Sequence, residues 1–151
     1  MLYPVLRRRS PRYAWPAIRR QPLLLLAVVG SKAGTLAEDV LATCEIDSRE
    51  YAVLEVLSRR EGPLPQASIA HEVRRDRTSV MRIARSLAKK GLVLQLADRQ
   101  DGRVQALAIT RRGKETLSLA ENNLLAGAEE LFSILTAPEV TWILTQLARV
   151  L

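Results

Sequence analysis

One stretch, Leu64 to Thr110, constrains what the rest of the chain can become. Its pattern predicts a helix, a short turn, a second helix and then a two-stranded hairpin. The second of these helices, about 77–90, divides by chemistry. Val80, Ile83, Ala84 and Leu87 recur on one face, whereas Arg77, Arg82, Arg85, Lys89 and Lys90 stud the rest. Asp76 stands at the N-cap position, and Gly91 ends the helix. Strands over about 92–97 and 104–109, the first with Leu92, Leu94 and Leu96, flank the turn Asp98-Arg99-Gln100-Asp101-Gly102-Arg103. A basic helix beside a basic hairpin suits a duplex: the helix fits a major groove, and the hairpin reaches a neighbouring minor groove.

Charge placement points the same way. The formal net charge of the 151 residues is +7. Residues 1–20 hold six arginines and no acid, residues 71–114 hold twelve basic and four acidic residues, and everything else is net −7. Such segregation fits one polyanion-facing surface better than diffuse solubilising charge, although a solvated basic face is the plainer alternative. The length is one domain's worth, and 48% apolar residues suffice for a core. Only six aromatics are present, so that core is mostly Leu, Val, Ile and Ala, which favours packed helices. A single cysteine and a single histidine exclude a disulfide framework and the usual structural zinc set, and a reducing cytoplasm is the expected location. Neither a phosphate loop nor a convincing triad stands in the sequence, so no enzyme, cofactor or metal is expected.

The remaining segments follow in order. Residues 1–22 contain four prolines and six arginines without a helical apolar period, and read as an extended basic arm. A rival reading makes them an export signal, with the apolar run Leu23–Val29 and Ser31-Lys32-Ala33 as cleavage site. Against it, Leu25, Val29, Leu36 and Val40 continue one helical face past that site, beside Gly30, Ala33, Ala37 and Leu41, read as a small-residue stripe. The run is also too short for a membrane span. The first helix is thus about 23–43. Asp47-Ser48-Arg49-Glu50 is a capping box opening a second helix to about Arg60, with Tyr51, Leu54 and Leu57 inward and Gly62-Pro63 as its stop. A third helix spans about 66–73, and Arg74-Arg75-Asp76 is the turn. Thr110 caps a fifth helix, about 111–135, and Thr136-Ala137-Pro138-Glu139 opens a sixth that runs to the C-terminus. These long amphipathic terminal helices do not close over the central unit, and a second copy would bury their faces.

In order and spacing these residues resemble the MarR family of winged-helix transcription regulators, over about 23–151. Asp47–Leu57 resembles the opening of the family's second helix. Ile69, Ala70 and Val73 with Asp76–Ile83 resemble its helix-turn-helix, and Leu87–Val93 its passage into the wing. Asp98, Arg103, Leu107, Ile109, Thr110 and Gly113 resemble the wing tip and the start of the next helix. The resemblance implies a mainly α fold with a small two-stranded β-wing. Behind the basic arm read at 1–22, it divides the chain into a winged helix-turn-helix at about 47–110 and dimerisation helices at 23–43 and 111–151. It further implies a cytoplasmic homodimer on double-stranded DNA, a palindromic operator, and repression relieved by a small anionic or phenolic effector. Three features depart from the family pattern. Gln100 stands where the wing usually has arginine, Arg74 lies near a usual glycine, and the arm is longer and more basic.

Candidate contacts divide by chemistry. Arg77, Thr78, Ser79 and Arg82 occupy the first turns of the reading helix, where arginine can bond two guanine acceptors and the hydroxyls can reach a base or a phosphate. Some of them, in the plainer reading, hold only phosphates or solvent. Gln66 and Ser68, opening the third helix, are phosphate candidates. Arg99 and Arg103 flank the wing turn and suit a narrow minor groove; Arg103 could instead pair with Asp98 or Asp101. Tyr51 is a candidate to line an effector pocket, with core packing as the alternative. Some relatives sense oxidants through a cysteine, but Glu45 and Asp47 beside Cys44 oppose a thiolate, so Cys44 reads as inert. His71 reads as an exposed helix residue. The competing function is a winged-helix protein-interaction module without specific DNA readout.

Overall fold

A computed structural model describes residues 21–97 and 105–149. The chain forms two compact units, residues 1–35 and 36–151. In chain order the elements are α1 (Pro22–Ala42), α2 (Ser48–Ser58), β1 (Leu64–Pro65), α3 (Gln66–Glu72), α4 (Arg77–Lys89), β2 (Val93–Ala97), β3 (Gln105–Ile109), α5 (Arg111–Leu131) and α6 (Ala137–Ala148). In the first unit α1 opens with Pro22, where a missing N–H costs no helical bond. Leu23, Leu24, Leu26 and Val29 are exposed there.

The second unit is built on the apolar periods. Leu41 of α1, Val53, Leu54 and Leu57 of α2, Ile69 of α3, Val80 and Leu87 of α4, Leu107 of β3 and Leu117 of α5 meet in one buried cluster with their neighbours. The N-terminus of α2 is fixed by the expected capping box. The Asp47 carboxylate accepts from the Glu50 N–H at 2.8 Å, and the Glu50 carboxylate accepts from the Asp47 N–H at 3.1 Å. The terminal helices bury less: α6 has no buried residue.

Three helices end in the same way. Each closes with a residue in the left-handed region, one amide bonding back across six residues and the preceding amide bonding back inside it. After α1 the pivot is Glu45, φ 59°, with Ile46 N–H donating to Leu41 C=O at 3.3 Å and Glu45 N–H to Ala42 C=O at 3.0 Å. After α3 it is Arg74, φ 51°, with Arg75 N–H on Ala70 C=O at 3.0 Å and Arg74 N–H on His71 C=O at 3.3 Å. After α4 it is Gly91, φ 73°, with Leu92 N–H on Leu87 C=O and Gly91 N–H on Ala88 C=O, both at 2.9 Å. The turn at Arg74 therefore has the backbone that glycine adopts freely, made by a residue that carries a Cβ penalty.

The sheet differs from the expected two-stranded wing. It has three antiparallel strands in the order β1-β3-β2, with Leu64 opposite Leu107 and Val93 opposite Ile109. β1 escaped the sequence reading because two residues carry no alternation, and Pro65 is tolerated there because β1 lies on the edge. Leu94 and Leu96 are exposed on β2 at 57% and 38%, while Leu92 and Val93 are buried. α5 is also shorter than the expected 111–135. It ends at Leu131, and Phe132–Leu135 form the reversal that brings Thr136 to the N-cap of α6.

At the start of α5, Thr110 Oγ1 donates to the Gly91 carbonyl at 2.8 Å and accepts from the Gly113 N–H at 2.9 Å. The Thr110 N–H donates to the Leu92 carbonyl at 3.0 Å. A Cβ on Gly113 would lie 2.1 Å from the Leu92 carbonyl oxygen, so only glycine permits this approach.

Candidate nucleic-acid interface

Helix α4 is 13 residues long, or about 20 Å, enough to lie along a major groove. Its first turn is set by Asp76, whose backbone is extended and whose carboxylate accepts from the Ser79 N–H at 2.8 Å and the Ser79 hydroxyl at 2.6 Å. Those bonds, the Ser79 hydroxyl first, hold the Asp76 carboxyl below its usual range. Val80, Ile83, Ala84 and Leu87 are buried, so the face opposite them is forced outward. Arg77, Thr78, Arg82, Arg85 and Lys89 are exposed on it.

Ser79 is half-buried and already engaged. Its hydroxyl hydrogen lies on Asp76, and its Oγ accepts from Arg82 Nη2 at 3.3 Å. A chain Asp76–Ser79–Arg82 thus steadies the Arg82 guanidinium on the outer face. Arg85 Nη2 lies 3.7 Å from Met81 Sδ. Lys90, which the sequence groups with the outward basic residues, turns inward instead. Its ammonium lies 2.6 Å from Glu50 Oε2, and Glu50 is buried. The capping box marked Glu50, but nothing local marks its partner, because the two are forty positions apart.

The other candidates scatter around this face. Gln66 is the first residue of α3; it and Ser68 are half-buried. Arg74 and Arg75 are exposed in the turn between α3 and α4. Arg99 and Arg103 lie outside the described residues. A cavity of about 310 Å³ adjoins α4, lined by Arg49, Arg75, Arg82, Asp47, Ser79 and Ser86 among others. Arg49 is paired there with Asp47 at 2.8 Å. The Asp47 carboxyl is pushed up by burial, but bonds from the Glu50 backbone and from Arg49 outweigh this and hold it low.

Tyr51 does not line that cavity; it is half-buried against the core. Burial first, then the Glu121 and Glu55 carboxylates, push its phenol up. Cys44 is half-buried, with Sγ 3.5 Å from Asn123 Nδ2. His71 is exposed. Among the described residues no group of three or more His, Cys, Asp or Glu is placed to hold a metal ion, and no helix is long and apolar enough to cross a membrane.

Residues 46–104 match the MarR family, a segment that holds α2 through β2. The HTH-type transcriptional regulator PapX of Escherichia coli is 29% identical over 136 residues, covering 87% of this chain and 79% of PapX. The PcaV transcriptional regulator of Streptomyces coelicolor superposes with a TM-score of 0.74 at 25% identity, covering 86% of this chain and 94% of PcaV. CouR from Rhodococcus jostii, bound to p-coumaroyl-CoA, superposes with a TM-score of 0.71 at 20% identity over 88% of this chain and 93% of CouR. PapX and PcaV are transcriptional regulators. The matched segment, the fold and the relatives agree in what the chain is similar to: the MarR family of winged helix-turn-helix, DNA-binding transcriptional regulators.

Proposed function

We propose that two copies of this chain bind an inverted-repeat operator, each laying α4 in a major groove, and that the bound protein represses transcription in the cytoplasm. The observation that carries this reading is the division of α4. One face is sealed into the core, and the other offers Arg77, Thr78 and Arg82 from a first turn fixed by Asp76. In this assignment Arg77 and Arg82 read bases, and Thr78 reaches a base or phosphate. Ser79 contributes through its free lone pair and through Arg82. Gln66 and Ser68 hold phosphates, and Arg99 and Arg103 enter the minor groove from the wing.

The homodimer is supported by apolar surface left exposed among the described residues. Leu119 and Leu125 on α5, Ile134 in the reversal, and Trp142, Leu144 and Leu147 on α6 are all exposed, Ile134 at 90% and Trp142 at 66%. A helix with no fully buried residue in its own chain gains little from folding alone, and a second copy supplies the missing surface. Residues 23–43 and 111–151 are the proposed dimerisation helices. A small anionic or phenolic effector completes the proposal. Its support is the ligand bound in CouR and the three guanidinium groups around the cavity beside α4.

Selection from a random duplex library, followed by binding at several salt concentrations, tests the proposal. The expected result is an enriched inverted repeat whose affinity falls steeply with salt as counterions are released. No enriched repeat, or flat salt dependence, would refute specific readout and favour a protein-interaction module.

A further inference from the structure

Lys90 follows α4 but faces away from its outer surface. Its ammonium donates to three acceptors: the Glu45 carbonyl at 2.7 Å and the two Glu50 oxygens at 2.8 and 2.6 Å. Both Glu50 oxygens are used twice. Oε1 also accepts from the Ser86 hydroxyl at 2.6 Å, and Oε2 from the Asp47 N–H at 3.1 Å. Glu50 itself is only 4% exposed. The cluster therefore ties together the left-handed turn that ends α1, the first turn of α2 and the last turns of α4.

Stability does not account for this arrangement. A buried ion pair roughly breaks even against apolar residues of the same volume, because desolvation offsets the attraction. What a carboxylate with four donors does supply is direction. Apolar contacts slide over one another, whereas a fully satisfied buried network has one geometry. The bond to the Glu45 carbonyl adds to this, since a non-glycine residue stays at φ 59° only where its surroundings over-determine it.

We infer that Lys90 is a positioning residue: clamped on Glu50 and on the Glu45 carbonyl, it fixes the direction of α4 against the end of α1, and so sets the separation of the two reading helices in the dimer. The inference rests on the proposed homodimer. It concerns how α4 is aimed, not which bases it touches.

The test measures the distance between nitroxide labels on the two copies, without DNA, using the full chain with Arg85→Cys in a Cys44→Ser background. The parent is expected to give a narrow distribution. The double variant Glu50→Gln, Lys90→Met keeps an amide oxygen for the Asp47 N–H, offers its NH2 to the Ser86 hydroxyl oxygen, and keeps the apolar stem at position 90. It is expected to melt within a few degrees of the parent yet to give a broadened distribution. Lys90→Arg, which keeps a cation over Glu50, is expected to restore the narrow one. A folded double variant with an unchanged narrow distribution overturns the inference. If the double variant does not fold, Ser86→Ala carries the same expectation with a smaller broadening, and no broadening there overturns it. A parent without any inter-label distance refutes the dimer and the inference with it, which keeps the two failures distinct.

Discussion

The carboxylate of Asp76 takes both hydrogens that Ser79 can donate, the amide at 2.8 Å and the hydroxyl at 2.6 Å. Comparable bonds act on Asp47 at the start of α2 and on Glu139 at the start of α6, where the Thr136 N–H donates to Glu139 at 2.7 Å. All three carboxyls are held below their ordinary values in the folded chain. A depressed folded-state value contributes stability above the unfolded value and loses it as pH falls through the folded one. Helix content is therefore expected to be constant above the ordinary carboxylate range and to decline once pH drops below about 4, read by far-ultraviolet circular dichroism. Asp76→Ala should lower the thermal midpoint at neutral pH and make it less dependent on acid.

The Arg82 guanidinium donates to the same Ser79 hydroxyl oxygen. On the selected operator, Arg77→Ala or Arg82→Ala should each cost about 1–3 kcal/mol of binding if the residue reads a base. Ser79→Ala keeps the Asp76 bond to the amide but loses the hydroxyl that bonds Asp76, steadies Arg82 and offers a lone pair to the duplex, so its effect should be smaller than loss of either arginine and in the same direction. Electrophoretic titration on operator and scrambled duplex separates the roles. Equal weakening on both would assign the residue to phosphate.

Much of this interface was legible in the chain because it rests on local rules. The α4 boundaries, its buried face and its Asp76 cap follow from spacing and one capping residue. The capping box at Asp47 and Glu50 is equally local. What escaped has physical causes too. Ser79 looks like a free hydroxyl in the sequence, and only the cap geometry shows its hydrogen committed. Lys90 looks like one more cation on a basic helix, and only the packing of α2 against α4 brings Glu50 beneath it. β1 is too short to carry a pattern. Arg74 was visible as a departure from glycine, but its left-handed backbone follows from the way α3 must turn into α4.

That backbone gives a prediction of its own. Arg74 sits at φ 51°, where a side chain costs about 1–2 kcal/mol and glycine sits freely. Part of this gain is offset by the larger entropy of unfolded glycine, so Arg74→Gly should stabilise the chain by roughly 0.5–1 kcal/mol in urea denaturation. If Arg74 also touches a phosphate, the same variant should reduce the salt dependence of DNA binding by about one charge.

The exposed apolar residues of α5 and α6 are expected to lie in the dimer. Trp142→Glu places a charge where Trp142 is now 66% exposed and would be covered by a second copy. Analytical ultracentrifugation should show the wild-type chain as a dimer and the variant shifted to monomer, with its circular dichroism unchanged. A variant that remains dimeric at micromolar concentration would move the interface elsewhere.

The contact at Gly113 has a mechanical consequence. Where α4 gives way to β2 and β3 gives way to α5, main chain touches main chain, with no side chain as a cushion. From these contacts a rotation of α5 is expected to pass to the base of the hairpin and to the tail of α4 as a rigid displacement, much as a welded bracket carries a torque. Retuning the surrounding side chains would leave that transmission in place, and only a bulkier residue at position 113 would break the weld.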